Sequence, residues 1–300
     1  MRIAVSGVNP TDWKERSRPG RLEGIAFKVP NQDGAGVIES VGEGVDPARV
    51  GERVWLYFAA WQRQYGTAAE LCALPADQAV PLPDGAGFDL GASLGIPALT
   101  AHRCLFADGT LAGRTVLVAG GAGAVGHFAI ELARRRGARV LATVSSPEKA
   151  ELARAAGAHE VIDYVREDAA ARVRELAGEG VDRIVEVALH HNFDLDAAVA
   201  APNAAISAYA NGGRTSLALS QLMSNNVVVR SVLVYTMPRA ALRTAIEEVS
   251  AALQAGALSE LPEHRFPLER IAAAHDAVEG GATGKVLVDV SEDAPPSIER

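Results

Sequence analysis

The sequence predicts an α/β protein of two domains, one of them built on a parallel sheet. Three observations carry this. The chain has 300 residues, more than the roughly 100–200 of one ordinary domain. Its first hundred residues hold short β-type runs separated by Gly and Pro turns, the texture of an all-β unit. From about residue 99, apolar strand-like runs alternate with helix-like segments, which is the pattern of βαβ units.

In the first part, residues 2–5, 36–41, 52–56 and 68–74 read as strands. The turn signals between them are Asn9-Pro10, Asp33-Gly34, Gly42-Glu43-Gly44 and Pro83-Asp84-Gly85. In the second part, the strand 115–119 precedes a helix whose Val125, Phe128, Ala129, Leu132 and Ala133 follow i, i+3, i+4, i+7, i+8 spacing. The strand 139–144 leads into Ser146-Pro147-Glu148, an N-cap, a first-turn proline and an early acid, with Gly157 as the stop. Further strands are expected at 160–162, 183–188, 204–209 and 227–234, and helices at 167–177, 194–200 and 216–223. After Pro238 a long helix runs to about 254, stopped by Gly256, followed by a helix at 268–278 and a strand at 285–290. The tail 291–300, rich in proline and charge, should be mobile. The domains are therefore 1–98 with 237–290, and 99–236.

Composition excludes several function classes. Apolar residues make up 48% and charged residues 22%, as in ordinary globular proteins and unlike disordered chains. No run approaches the roughly 20 apolar residues of a membrane span; the stretch 197–210 is broken by Pro202, Asn203 and Ser207. The first residues have no sustained apolar core before Asn9 and Pro10, so no signal peptide is read and a cytoplasmic location is expected. A net charge of −8 argues against nucleic acid or anionic membrane as partners. Two cysteines, Cys72 and Cys104, exclude a disulfide framework and a four-cysteine zinc site.

The strongest motif lies in Val116-Leu117-Val118-Ala119-Gly120-Gly121-Ala122-Gly123-Ala124-Val125-Gly126. Gly121, Gly123 and Gly126 form G-x-G-x-x-G. The pattern alone is weak. Here it follows a strand, opens an amphipathic helix and begins a βαβ series, the context of a Rossmann dinucleotide site. Gly121 makes the tight turn, Gly123 lets backbone approach a pyrophosphate, and Gly126 lets helix pack on strand. The backbone of Ala124 and Val125 opens the helix whose N-terminus faces the phosphates. A purely structural turn is the competing reading.

An NAD site places Asp or Glu about 20 residues further on, to bind the ribose 2′-hydroxyl. That position falls on Ser145 and Ser146. With no acid there, a 2′-phosphate meets no repulsion, and NADPH is favoured over NADH. Ser145, Ser146, Lys149 and Tyr164 are the candidate cradle. For Lys149 a solvated helix face is the alternative.

These residues and their neighbours resemble the zinc-independent quinone oxidoreductases, the zeta-crystallin type, of the medium-chain dehydrogenase/reductase superfamily. The resemblance runs through Gly7-Val8-Asn9-Pro10, Asp33-Gly34-Ala35-Gly36-Val37-Ile38, Gly51-Glu52-Arg53-Val54, Gly95-Ile96-Pro97-Ala98-Leu99-Thr100-Ala101, the glycine loop, Gly157-Ala158-His159-Glu160-Val161-Ile162, Gly180-Val181-Asp182, Pro267-Leu268-Glu269-Arg270-Ile271-Ala272 and Gly284-Lys285-Val286. It implies a GroES-like β-barrel domain beside the Rossmann domain, NADPH as hydride donor, a homodimer, and reduction of quinones or enones in the cleft between domains. It also places Thr100 near the nicotinamide, where a helix N-cap is the alternative role. Two departures stand out. Relatives carry further residues ahead of the segment matching Met1, so the barrel is expected to be shortened at its N-terminus. Ala188-Leu189-His190-His191 replaces a valine–glycine pair in a loop near the cofactor.

Cys72 and Cys104 read as small buried hydrophobes. His190 and His191 should diverge as loop neighbours, and no third metal ligand is evident, so no metal is expected. No nucleophile motif or paired-carboxylate signature stands out, which fits chemistry carried by a cofactor. Asn9 is the candidate catalytic contact, a donor for the oxyanion that a quinone becomes on taking hydride; a turn-making Asn before Pro competes. Trp55, Tyr57, Phe58, Trp61 and Tyr65 put five of fifteen aromatics in eleven residues. They could stack on a quinone or fill a core. The segment 227–234 is β-branched and low in charge, and is expected to be the sheet's edge strand, paired with its copy in a homodimer. An enone reductase, and a non-catalytic NADPH-sensing or RNA-binding protein, are the alternatives.

Overall fold

A computed structural model describes residues 1–17 and 24–291. The expected mobile tail, apart from Ser291, lies outside the described residues. The chain divides into two compact units, Met1–Pro97 with Ile246–Arg300, and Ala98–Ala245. The return to the first unit falls at Ala245–Ile246, inside a helix, and not at 236–237. No helix among the described residues is long and apolar enough to cross a membrane.

The first unit is the GroES-like one. Its sheet has the order β11-β12-β1-β2-β3-β4, built from β1 (Arg2–Val8), β2 (Asp33–Val37), β3 (Arg53–Leu56), β4 (Ala79–Pro81), β11 (Glu263–Pro267) and β12 (Lys285–Asp289). Neighbours run antiparallel except β11 and β12. β1 is flanked on both sides and buried from Ile3 to Val8, so small and apolar residues extend it past residue 5. The expected strand 68–74 is not formed. One bridge joins Arg2 to Leu71, although Ile3 donates to the Glu70 carbonyl and Cys72 to that of Met1. Asn9-Pro10 is no turn: Pro10 opens the helix α1 (Pro10–Arg16), with Asn9 as its N-cap. The region of 268–278 holds α9 (Ile271–Glu279) after a short 3₁₀ turn.

The second unit has an all-parallel sheet of order β10-β9-β8-β5-β6-β7. Its strands are β5 (Thr115–Ala119), β6 (Arg139–Val144), β7 (Glu160–Asp163), β8 (Val181–Glu186), β9 (Ala200–Ala208) and β10 (Val228–Ser231). The connecting helices are α3 (Ala124–Arg135), α4 (Pro147–Ala155), α5 (Ala169–Ala177), α6 (Leu189–Val199) and α7 (Leu219–Ser224). The chain winds outward from β5 to β7, then returns to β8 and winds the other way. The reversal between β5 and β8 is the switch point of a Rossmann fold. Leu117, Leu141, Ile162, Ile184, Phe193 and Ile206 fill its core. Two helices span the unit boundaries: α2 (Phe88–Phe106) and α8 (Arg239–Gln254).

α2 has no counterpart in the predicted elements. Gly91, Gly95 and Pro97 weaken its helical propensity, and burial of Leu94, Ala98, Leu99, Ala101 and Leu105 overrides them. β8 ends at Glu186 rather than at 188 because Ala188 serves as the N-cap of α6. That also moves the start of α6 from 194 to Leu189. β10 covers only Val228–Ser231, half of the expected 227–234, and among the described residues pairs with β9 alone.

Candidate functional site

The turn from β5 to α3 forms the candidate cofactor cradle. Gly120 has φ +70°, a conformation glycine adopts without strain. Gly121 N–H donates to the Thr143 carbonyl at 3.0 Å, and Gly123 N–H to the Gly120 carbonyl at 3.0 Å, so the loop is fastened to β6 and to itself. The three motif glycines then divide by role. A Cβ on Gly126 would stand 2.3 Å from the Gly120 oxygen, and one on Gly121 2.8 Å from Ala142 Cβ; both are demanded by packing. A Cβ on Gly123 would meet nothing closer than 3.5 Å. Gly123 is exposed, and Ala124 and Val125 are half-buried. Gly123 is also the N-cap of the twelve-residue α3 and offers no capping side chain. The start of α3 is thus exposed and carries no capping side chain, which suits an anion at a positive helix end. An exposed helix end of this kind is where dinucleotide phosphates sit in Rossmann folds.

Ser145, Ser146, Lys149 and Tyr164 gather beyond the carboxyl ends of β6 and β7, which pair Val144 with Asp163. Lys149 Nζ donates to Ser145 Oγ at 3.0 Å, and Ser146 Oγ accepts from the Lys149 amide at 3.3 Å. Tyr164 is 53% exposed, free to lie against a ligand. The cluster carries more negative charge than the spacing of the sequence implies. Glu148, in the first turn of α4, is hydrogen-bonded to Ser146, which holds its carboxyl below the usual range.

Thr100 lies inside α2 and is 5% exposed. It is not a helix N-cap.

Asn9 is 2% exposed and belongs to a buried network in the first unit. Its Nδ2 donates to Asp33 Oδ2 at 2.7 Å, and its Oδ1 accepts from Lys285 Nζ at 2.9 Å. Its backbone N–H donates to Asp12 Oδ2 at 2.7 Å. Asp33 also accepts from the Ile96 amide at 2.9 Å and faces Lys285 at 3.9 Å. Burial pushes the Asp33 carboxyl up to about 6, against the pull of Lys285. Burial first, then the Asp33 charge, pushes Asp12 up to about 8. Burial lowers Lys285. Asp12 and Lys285 went unnoticed in the sequence because each reads there as an ordinary charge, on a helix and at a strand start.

A second acidic pair stands at the switch point. Glu186 ends β8 and Asp196 lies in α6; both are fully buried. Glu186 Oε1 accepts from the Ala188 amide and, at 3.1 Å, from Asn192 Nδ2. The residues lie ten apart in sequence, with no motif to join them. His190 and His191 open α6 rather than a loop. Their rings do not diverge: the centroids are 4.0 Å apart. Among the described residues no group of three or more His, Cys, Asp or Glu is arranged to hold a metal.

Trp55, Tyr57 and Phe58 are buried at 0%, 3% and 5% exposure, which is the core reading. Tyr65 is exposed and meets Phe27 edge-on at 6.1 Å. Cys72 and Cys104 are free and buried, and burial raises both thiols.

Residues 124–251 match the family described as zinc-binding dehydrogenase, and residues 1–84 the alcohol dehydrogenase GroES-like domain. A quinone oxidoreductase of Rattus norvegicus is 30% identical over 293 residues, 96% of this chain and 88% of the relative. Crystal structures of a quinone oxidoreductase of Pseudomonas syringae align with TM-score 0.82 and 28% identity, over 96% of this chain and 90% of theirs. A mycobacterial structure complexed with NADPH aligns with TM-score 0.82 and 31% identity, over 96% and 90%.

Proposed function

The chain is an oxidoreductase of the medium-chain dehydrogenase/reductase superfamily, and from that premise we propose that it passes hydride from NADPH to a quinone. The observation that carries the cofactor half is Gly123, exposed and unobstructed, at the uncapped end of α3. The bound cofactor would supply the hydride. The amides of Ala124 and Val125 would hold the pyrophosphate, favoured by the positive end of the helix, with Gly123 leaving room for it. Ser145, Ser146, Lys149 and Tyr164 would take the 2′-phosphate, with the Lys149 ammonium offsetting the nearby Glu148 carboxylate. Thr100 is carried forward as a nicotinamide-side residue.

A quinone that accepts hydride gains negative charge on oxygen, which a donor can stabilise. Asn9 is the proposed donor. Its amide oxygen is spent on Lys285 and one N–H on Asp33, which leaves one N–H for an acceptor and fixes the plane of the amide. The reaction is proposed to need no zinc, on the isolation of Cys72 and Cys104. The partner is proposed to be a second copy of the chain, paired through β10.

Steady-state turnover of NADPH with 1,4-benzoquinone, 9,10-phenanthrenequinone and a short enone tests the reading. Faster turnover of the quinones supports it. Turnover of the enone alone supports a double-bond reductase. Binding of NADPH with no turnover on any acceptor supports a cofactor sensor and overturns the enzyme reading.

A further inference from the structure

Glu186 and Asp196 are both fully buried, which a carboxylate tolerates only when paired or hydrogen-bonded. Glu186 has such partners in the Ala188 amide and Asn192 Nδ2. Among the described residues Asp196 has none: neither Oδ1 nor Oδ2 meets a donor. The polar group it does face is the Glu186 carboxyl. Two carboxylates in that position would repel each other in a dry site, with no proton between them. One proton relieves both problems. Held on Asp196, it lets that residue donate to Glu186 and leaves Glu186 ionised, as its two N–H partners require.

We propose that Asp196 is a positioning residue that shares one proton with Glu186, and that this shared proton fixes the segment Val187–Asn192 beside the glycine loop. The segment is in place to matter. It leaves the carboxyl end of β8 next to β5, at the switch point where ligands bind in this kind of sheet. A Cβ on Gly120 would stand 3.4 Å from Val187 Cγ1. Glu186 accepts from Ala188 and Asn192, so it ties both ends of the segment to β8. Ionisation of Asp196 would place a second charge against Glu186 and push the start of α6 away from the sheet.

Few other titratable groups act on the pair. The charge that acts most on Asp196 is that of Glu186. Just past the end of β9, Tyr209 faces Glu186, and Cys104 of α2 faces Tyr209. Burial raises both hydroxyl and thiol, so both are neutral and neither supplies a countercharge. Burial raises the Asp196 and Glu186 carboxyls in turn.

This inference rests on the NADPH reading for its effect on cofactor, and on geometry alone for the shared proton. NADPH affinity is measured by fluorescence titration from acidic to alkaline pH for the whole chain, Asp196→Asn and Asp196→Leu. The parent should weaken toward alkaline pH as the proton leaves. Asp196→Asn keeps a donor to Glu186 and adds no charge, so its affinity should match the parent at neutral pH and stay level at alkaline pH. Asp196→Leu removes the donor and should weaken NADPH by about tenfold at neutral pH. Identical pH profiles for parent and Asp196→Asn would overturn the proposal, as would unchanged affinity in a folded Asp196→Leu. Infrared difference spectra give a readout without cofactor: a protonated-carboxyl band present in the parent at neutral pH and missing from Asp196→Asn. If no band is lost, no shared proton exists. If the band is lost but the parent binds no NADPH at any pH, the cofactor reading and the positioning role both fall, while the shared proton stands. Should either Asp196 variant fail to fold, Glu186→Gln moves the donor to the other side and must likewise level the alkaline decline.

Discussion

Lys285 Nζ donates to Asn9 Oδ1 over 2.9 Å, across 276 residues of sequence, and each residue is 2% exposed. The ammonium also faces Asp33 at 3.9 Å, so a single buried cation ties β12 to β2 and to the N-cap of α1. Removing one partner of a buried charge network leaves the others uncompensated. Lys285→Met should therefore cost about 3–5 kcal/mol of stability, far more than loss of an exposed pair such as Arg2 with Glu39. Urea denaturation of the two variants checks this. A cost for Lys285→Met no larger than for Arg2→Met would mean the network stabilises little.

Asp12 gives the first unit a pH dependence of definite sign. Its carboxyl rises from 3.8 unfolded to about 8 folded, so the folded chain holds the proton more tightly. That contribution is complete below about 4 and is lost as pH rises toward about 8. Asp12→Asn has no proton to lose and still offers an oxygen to the Asn9 amide. The melting temperature of the parent should fall more steeply than that of Asp12→Asn between those limits. Parallel curves would contradict the raised carboxyl.

The parts of this fold that were legible in the sequence are those where local pattern and tertiary demand agree. β5, β6 and α3 stand where periodicity and the glycine motif put them, because each buries the face its own apolar residues mark. α2 was not legible, since its Gly and Pro content argues against the helix that burial imposes. The strand at 68–74 was overread: Leu71 is 56% exposed and its segment pairs with β1 through scattered bonds. At the site, the glycine loop and the Ser145–Lys149 contact follow from one continuous stretch of chain. The partners of Asn9 and the Glu186–Asp196 pair come from distant positions, and no spacing rule connects them. The closeness of His190 and His191 was hidden by a misplaced helix start.

The glycine loop separates binding from folding. Gly126→Ala would drive a Cβ to 2.3 Å from the Gly120 oxygen, so it should lower the melting temperature markedly. Gly123→Val places its side chain in open space, where the pyrophosphate would lie. It should abolish NADPH binding with little change in melting temperature. If Gly123→Val binds NADPH as the parent does, the cofactor lies elsewhere.

Cofactor preference should depend on the balance of Lys149 and Glu148. NADPH is expected to bind at least about tenfold tighter than NADH, about 1.4 kcal/mol. Lys149→Ala should weaken NADPH and leave NADH nearly unchanged. Glu148→Gln removes the carboxylate bonded to Ser146 and should tighten NADPH while leaving NADH the same. Titration of both cofactors against the three proteins decides it. Equal parent affinities would refute the 2′-phosphate cradle.

Among the described residues β10 ends the parallel sheet with one side unpaired, and exposed apolar side chains lie on it and on the segments before and after it in sequence. Leu219, Met223, Val228 and Leu233 are 64%, 68%, 45% and 52% exposed. An open strand edge rimmed by such residues favours pairing with another strand. Isologous pairing of β10 with its copy satisfies the free backbone groups of both chains about one two-fold axis. Arg230 does not compete for that role, because its guanidinium turns to Asp108 at 2.5 Å. Light scattering at micromolar concentration should give the mass of a dimer. Val228→Glu changes a side chain already exposed in one chain, so it should leave the melting of the dilute protein nearly unchanged. In the dimer it sets two like charges against each other at the shared edge, and the mass should fall to that of a monomer. A parent that is monomeric, or a Val228→Glu variant that remains fully dimeric, would exclude pairing through β10.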